Sequence, residues 1–294
     1  MRGIFDGLID LLDNWIRGLL TDAAISNLDG LFVSINDQLF WTKMEVGKTP
    51  QQFNAEIFNL IRNLSQTVIV PIAGLVIAFV CTYELIQMII EKNNMHEFEL
   101  FNIFKWVLKT SCTIVIVTNT WNIVMAVFDV AHHVTNQAFG VIGTAGIDSG
   151  AIVSTFINQA STMSLGELFG IVITTFICKI AVYVIYVILF VIIISRMIEI
   201  YLMTSLAPIP MATLLRKEGS HGMGQNYLRG LFAIGFQAFL IMVCVGMYSI
   251  LVQSIDYASG NIMLKLVEVI GFTVILCLSL IKTGSLSKSI FNAH

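Results

Sequence analysis

The sequence has 294 residues, of which 56% are apolar and only 12% are charged, and its mean hydropathy is +0.84. A soluble domain carries roughly 25% charged residues, so this composition excludes an ordinary soluble protein. The apolar runs lack the strict polar alternation of an outer-membrane barrel, which predicts an all-α integral membrane protein. The five cysteines lie inside apolar runs without a CxxC pair, so we expect neither disulfides nor a metal site.

Residues 1–54 are predicted to form an extracytoplasmic, amphipathic helical region that ends in a linker at 42–52. Within 1–20, helical spacing gives an apolar stripe opposite acidic residues: Ile4, Phe5, Leu8, Leu12, Trp15, Ile16 and Leu19. A second stretch, 24–41, has an apolar stripe of its own: Ile25, Leu28, Phe32, Ile35 and Leu39. Two such helices can lie in the membrane interface or pack on other subunits. The acidic face favours protein contact.

Residues 55–294 are predicted to form a polytopic transmembrane bundle. A helix needs about 20 mostly apolar residues to cross the hydrocarbon layer. About five segments meet this requirement: 67–90, 104–128, 168–204, 230–252 and 262–281. Pro71 is predicted to kink the first of them. Residues 131–166 are predicted to form a loop that contains one short helix, at 152–159.

The distribution of Lys and Arg predicts which loops face the cytoplasm, because cytoplasmic loops are enriched in these residues. The cations cluster after the first span, at 211–229 and in the C-terminal tail: Lys92, Lys105, Lys109, Arg216, Lys217, Arg229, Lys282 and Lys288. Segments 131–166 and 253–261 have none. We therefore expect a multi-pass protein of the cell membrane with its N-terminus outside and its C-terminus in the cytoplasm.

The longest apolar run, 165–206, carries three charged residues that we treat as candidates: Lys179, Arg196 and Glu199. Lys179 and Arg196 are 17 residues apart, about one hydrocarbon thickness along a helix, so both are expected to snorkel to opposite interfaces. Arg196 and Glu199 are spaced i, i+3 and can pair on one helix face. The pair is either an interfacial anchor or a polar contact that lines a subunit interface or pore.

Further candidates are the uncharged polar residues and prolines of the spans. Asn119 and Asn122 in the second span are expected to face other helices and not lipid. Gln237 is the strongly polar side chain of the fourth span. Pro208 and Pro210 are predicted to end the third span and to shape the turn that follows.

No catalytic or nucleotide-binding signature is present. The sequence has no HExxH, GxSxG or Walker A motif, and the glycine-rich segment 219–224 is not followed by Lys-Ser/Thr. We therefore expect no enzymatic activity, no cofactor and no metal ion.

A series of motifs follows from Arg196 onward. Arg196-x-x-Glu199 is followed by Ala207-Pro208-Ile209-Pro210 and then by Gly224-Gln225-Asn226-Tyr227-Leu228, which opens the next apolar helix. This series resembles the polytopic inner-membrane subunit of type IV secretion systems, the TrbL-type conjugal transfer proteins of conjugative elements from Gram-positive bacteria. The resemblance is close over 190–252 and looser over the other spans. It adds Asn226 and Tyr227 to the candidate channel or subunit-interface residues.

The resemblance implies a non-catalytic channel or scaffold subunit of a conjugation machine. Such a subunit helps single-stranded DNA, with its attached relaxase, to cross the cytoplasmic membrane. The implied partners are other secretion-system membrane subunits, the coupling and traffic ATPases, membrane lipid and further copies of the chain in a homo-oligomeric ring. The alternative is a small-solute permease, which needs a polar site at the membrane midplane. Its candidate residues are Glu84, Asn119, Asn122 and Gln237.

Overall fold

The computed structural model describes residues 2–91, 100–142, 147–215, 222–257 and 261–293. In these ranges the chain is helical and has no strand, which confirms the all-α class. In chain order the helices are α1 (Arg2–Val46), α2 (Pro50–Phe53), α3 (Ala55–Leu64), α4 (Val70–Glu91), α5 (Leu100–Thr118), α6 (Thr120–Ile142), α7 (Ser149–Ala160), α8 (Leu165–Leu206), α9 (Pro208–Met211), α10 (Met223–Gln253) and α11 (Ile262–Ile290). The loop cations Lys92, Arg216 and Lys217 and the first half of the 219–224 segment lie outside the described residues.

Among the described residues, five helical segments are long and apolar enough to cross a membrane. They are Ala55–Ile90, Phe101–Thr118, Leu165–Leu206, Met223–Gln253 and Ile262–Ile290. This confirms the predicted number of about five membrane-spanning helices.

The helix that carries Pro71 has an irregular turn immediately before the proline. A π-helical turn, Ser65–Ile69, joins α3 to α4 without a break. Pro71 has no N–H to donate to the carbonyl of the preceding turn, and its ring would collide with that carbonyl in a regular α-helix. The wider π turn accommodates the proline at the position where the sequence predicts a kink.

The chain divides into two compact units. The first unit consists of Met1–Val46, Phe139–Ile192 and Ile241–Ile281, and the second consists of Gly47–Ala138, Ile193–Leu240 and Lys282–His294. Helices α6, α8, α10 and α11 contribute residues to both units.

In the first unit, α1 runs in the same direction as α8. The Arg17 guanidinium donates to the Met163 carbonyl just before α8, and the Gln38 amide donates to the Val182 carbonyl at 3.2 Å. The Asn36 side chain also exchanges two hydrogen bonds with the backbone of Ile147, at 2.9 and 2.8 Å. These bonds and the contacts with α7 place the second half of α1 against the chain's own helices.

The structure differs from the prediction of two N-terminal amphipathic helices, because α1 is one helix of 45 residues. The apolar stripe of its second half is buried in the first unit, as shown by Leu28, Phe32, Ile35 and Leu39. The stripe of its first half stays exposed, as shown by Leu8, Leu12, Trp15 and Leu19. Only the second half of α1 therefore packs its apolar stripe against other parts of the chain.

In the second unit, α6 packs between the end of α8 and the start of α10. Their common core contains Val124, Val127, Phe128, Met197, Ile200, Ala207, Leu231 and Ile234. Beside it, α4 and α5 form an antiparallel hairpin in which the Lys109 ammonium pairs with the Glu84 carboxylate. Helix α9 packs on this hairpin through a second core of Ala73, Ile77, Val117, Met211 and Ala212.

The stretch predicted as the second span, 104–128, contains a helix boundary. Helix α5 ends at Thr118, a single turn residue follows at Asn119, and α6 then continues to Ile142. The hydroxyl of Thr118 and the amide of Asn119 donate to backbone carbonyls of the preceding turn. Such local bonds compete with regular helix geometry. The predicted loop at 131–166 consequently begins as helix.

Candidate functional site

The turn after α8 is built by its two prolines and one glycine. Pro208 occupies the first turn of α9, where its missing N–H costs no hydrogen bond. Helix α10 then starts so close to this turn that a Cβ on Gly224 would lie 2.6 Å from both the Pro210 carbonyl oxygen and the Leu214 Cα. Only glycine permits this approach. The Gly224 of the motif is therefore a packing requirement of the turn.

Among the described residues of the second unit, Arg196 is a buried cation, with 6% of its surface exposed. Its Nε donates to the Ile234 carbonyl at 3.2 Å and its Nη2 donates to the Gly235 carbonyl at 3.4 Å. Nη1 has no hydrogen-bond partner among the described residues. The planar guanidinium thus joins α8 to two successive carbonyls of α10, a geometry that suits its fork of donors.

The predicted pairing of Arg196 with Glu199 is wrong for this structure. The Glu199 carboxylate accepts from the Lys288 ammonium of α11 at 3.2 Å, and both side chains are about half exposed. Arg196 instead turns to backbone carbonyls inside the core. The i, i+3 spacing allowed a pair, but the two residues leave α8 toward different neighbours, α10 and α11.

Two other motif residues lie at the start of α10. The Tyr227 hydroxyl donates to the Met203 carbonyl at 3.1 Å, and the ring packs against both apolar cores of the second unit. The Oδ1 atom of Asn226 is buried without a hydrogen-bond partner among the described residues. Together with Arg196, Tyr227 fixes the antiparallel register of α8 and α10.

Gln237 lies between α10 and α11. Its Nε2 donates to the Thr283 hydroxyl at 3.4 Å, and a Cβ on Gly284 would lie 3.3 Å from it. One turn earlier on α10, the Ala233 carbonyl accepts a hydrogen bond from the Ser287 hydroxyl. Gln237 therefore faces another helix of the same chain.

The remaining candidates do not join this group. Asn119 and Asn122 are exposed on the surface of the chain, and the Asn119 amide bonds back to the Val115 carbonyl. Lys179 belongs to the first unit, where its ammonium lies over Gly30 of α1, 3.0 Å from the position of a Cβ there. The glycine leaves room for the lysine side chain.

Sequence reasoning missed an aromatic cluster in the second unit. The rings of Phe58 and Trp121 meet edge to face with centroids 5.1 Å apart, and Tyr201 completes the cluster. The Tyr201 hydroxyl donates to the Pro50 carbonyl at 2.6 Å. Tyr201 lies five residues after Arg196 in an apolar run. The only available signal was that a buried tyrosine hydroxyl needs a hydrogen-bond partner.

The contacts of Arg196, Tyr227, Gln237 and Glu199 hold helices together. In the ranges that the structure describes, no three His, Cys, Asp or Glu side chains come together as a metal site. The polar contacts join helices in pairs, α8 with α10, α10 with α11, and α8 with α11. They fix the geometry of a bundle.

The family comparison matches the region that carries this geometry. The family described as "TrbL/VirB6 plasmid conjugal transfer like protein" matches residues 35–208, more than half of the chain. The chain belongs to this family. It is thus a component of the type IV secretion machinery of conjugation, in a family of structural components, and it is a multi-pass membrane protein. No curated protein and no solved structure matches it.

The TrbL/VirB6 match runs from the second half of α1 through α8 to Pro208. It therefore includes Arg196, Glu199 and the beginning of the proline turn, while the Gly224–Leu228 motif lies beyond it. The match also includes α6, which the prediction from sequence divided between the second span, 104–128, and the loop at 131–166.

Proposed function

We propose that this TrbL/VirB6 family member is a channel-forming, non-catalytic subunit through which a conjugation machine moves single-stranded DNA and its attached relaxase across the cytoplasmic membrane. The observation that carries the proposal is the family match over 35–208 in a chain whose described residues include five helices able to span a membrane. Transport energy would come from the coupling and traffic ATPases of the machine. In this proposal the N-terminus is extracytoplasmic and the C-terminus cytoplasmic.

The contacts around Arg196 support a structural role for the turn after α8. A guanidinium that bonds two carbonyls, a tyrosine that bonds a third and a glycine at backbone contact all act between α8 and α10. A subunit that surrounds a moving polymer must keep its helices in register while the substrate passes. We infer that these residues serve that purpose and do not bind the substrate.

The proposal includes assembly into a homo-oligomeric ring, because five helices of one chain are too few to enclose a path for DNA. A closed ring of identical subunits is the simplest solution. Protein purified in mild detergent is expected to form ring-shaped particles in electron micrographs. A monomer that retains transport activity would contradict this part of the proposal.

The permease alternative receives no support from the residues it requires. Glu84 is held by Lys109 in the α4–α5 hairpin, and Gln237 is held by Thr283 of α11. Asn119 and Asn122 are exposed on the outside of the chain. These side chains have different partners on different helices, whereas a solute site needs several polar groups that converge.

The test is an in-frame deletion in the donor, complemented in trans. The deletion is expected to abolish transfer while the relaxase still cleaves its origin DNA and the ATPases remain at normal levels. The wild-type copy should restore transfer. Normal mating frequency in the deletion strain would refute the proposal.

A further inference from the structure

The hairpin of α4 and α5 encloses an open cavity of about 330 Å³ close to its turn. All of its lining residues belong to the second unit. The polar part of the lining consists of Glu84, Gln87, Asn102, Lys105, Trp106 and Lys109. Two ammonium groups against one carboxylate leave one positive charge in excess, so the cavity is suited to an anion.

Lys105 supplies the positive charge that is not neutralised within the hairpin. The Glu84 carboxylate is already paired with the Lys109 ammonium. The Lys105 side chain is exposed, and no carboxylate pairs with it in the part of the chain that the structure describes. Beside it, the Trp106 indole donates to the Cys81 carbonyl at 3.2 Å, which holds the ring in place as a wall of the cavity. The Asn102 amide adds uncharged N–H donors.

The cavity lies near one surface of the membrane. Helix α4 ends at Glu91 and α5 begins at Leu100, and the sequence between them is Lys-Asn-Asn-Met-His-Glu-Phe-Glu. So many charged and amide side chains would be costly in hydrocarbon, which places this end of the hairpin in water or among lipid headgroups. Lys105 and Trp106 follow Leu100 by five and six residues, about 9 Å along a helix. Lys and Trp are both side chains that reach the interface from such positions.

An apolar stripe leads away from the cavity along α5. Leu108, Cys112 and Val115 follow Lys105 at i+3, i+7 and i+10, and all three are exposed. On a helix these positions share one face. From Lys105 to Val115 the stripe is about 15 Å long, roughly half the thickness of the hydrocarbon layer. The surface is therefore cationic at its headgroup end and apolar over the depth of one leaflet.

We propose that this cavity binds the phosphate group of an anionic phospholipid. The phosphate pairs with the Lys105 ammonium and accepts from the Asn102 amide, and one acyl chain lies along Leu108, Cys112 and Val115. Basic pockets between transmembrane helices are a recurrent way of holding anionic lipid headgroups. The site goes beyond the proposed role in DNA transfer and does not depend on it.

The charge of the neighbouring turn makes the proposal specific to the cavity. Residues 91–99 contain three carboxylates, from Glu91, Glu97 and Glu99, and one ammonium, from Lys92, an excess of two negative charges. A turn of this composition does not attract anionic lipid as a basic surface would. A preference of the protein for anionic lipid at this hairpin must then come from contacts inside the cavity.

The experiment is native mass spectrometry of the purified full chain in an uncharged detergent. Phosphatidylglycerol, phosphatidylcholine or inorganic phosphate is added in separate titrations, and the amount of each adduct is measured. Lys105→Gln removes the charge of the cavity, and Lys105→Arg keeps it. Lys282→Gln is the matched control, because Lys282 is also exposed near the end of a membrane-spanning helix but does not line the cavity.

The wild type is expected to retain phosphatidylglycerol at least about fivefold better than phosphatidylcholine, and Lys105→Gln should lose about this factor, the effect of one Lys near anionic lipid. Lys105→Arg and Lys282→Gln should bind as the wild type does. Equal retention of the two lipids, or equal losses in Lys105→Gln and Lys282→Gln, would overturn the proposal. If inorganic phosphate binds and phosphatidylglycerol does not, the site takes a free anion and the assignment to lipid is wrong.

The readout is independent of mating. If the deletion strain mates normally while the Lys105-dependent adduct is observed, the proposed function fails and the lipid site stands. If transfer requires the protein but no selective adduct forms, the lipid site fails and the proposed function stands.

Discussion

The contacts of Arg196 predict that its substitution destabilises the protein more than substitution of Glu199. In Arg196→Lys the ammonium keeps the charge but cannot reach both the Ile234 and Gly235 carbonyls in the plane of a guanidinium. A hydrogen bond to a charged group contributes about 1.5–3 kcal/mol, so the loss of one should cost about this amount. Glu199→Gln breaks only a half-exposed pair with Lys288, which is worth about 0–1 kcal/mol.

The assay is thermal unfolding of the purified variants in mild detergent, followed by intrinsic fluorescence, with mating frequency measured in parallel. Arg196→Lys is expected to lower Tm by several degrees and to reduce transfer, whereas Glu199→Gln should behave nearly as the wild type. Lys288→Gln is the matched control for the surface pair and should resemble Glu199→Gln.

The charge-swapped double variant, Arg196→Glu with Glu199→Arg, gives the sharpest result. It places a carboxylate against two carbonyl oxygens, all of which are acceptors, inside a buried site. It should therefore be less stable than either single variant. If the double variant instead recovered stability or transfer, Arg196 and Glu199 would form a functional pair and the contacts described above would be wrong.

Three further predictions follow from the packing. Gly224→Ala should abolish transfer and reduce the amount of protein in the membrane, because the new Cβ would meet backbone atoms at 2.6 Å. Gly74→Ala is the control and should be tolerated, because a Cβ at Gly74 has open space around it. Immunoblots of membrane fractions measure the amount of both variants. Tyr201→Phe should cost about 1 kcal/mol of unfolding free energy through its lost hydroxyl bonds, measured by Tm in detergent. For the orientation, Ser154→Cys in α7 should react with an impermeant reagent in intact cells and Ser289→Cys only after lysis; the opposite pattern would invert the topology.

The sequence contained enough information for the class and number of the membrane helices. Apolar runs around Leu165–Leu206 and Met223–Gln253 exceed the span length by themselves, and no partner is needed to recognise them. The proline turn after α8 was also predictable, because Pro208 has no N–H with which to continue the hydrogen-bond pattern of the helix.

Helix α6 could not be assigned from the sequence because its two faces have different surroundings. Hydropathy averages Asp129 and His133 with buried residues such as Phe128 and Thr135, so the segment resembles a loop that follows a span. Its position beside α10 depends on the close approach at Gly235, which is a tertiary contact. A stripe of polar residues at helical spacing was the signal present in the sequence.

The partners of the charged residues were equally beyond sequence reasoning. Arg196 donates to backbone carbonyls, which every residue has and which no sequence pattern distinguishes. Glu199 pairs with Lys288, which is 89 residues away along the chain. Local spacing identifies residues that can pair, but packing of distant helices decides which pair forms.

The most direct test of the central claim is whether DNA in transit contacts this protein. A photo-reactive amino acid is placed, one position per variant, at the exposed residues Asn136, Phe190 and Met247, and donor cells are illuminated during mating. The transferred strand is then quantified after denaturing purification of the protein, and donors without active relaxase are the control. We predict that the strand is recovered with at least one variant, and only when relaxase is active. If no strand is recovered from any variant while all support normal mating, the protein does not line the path of DNA.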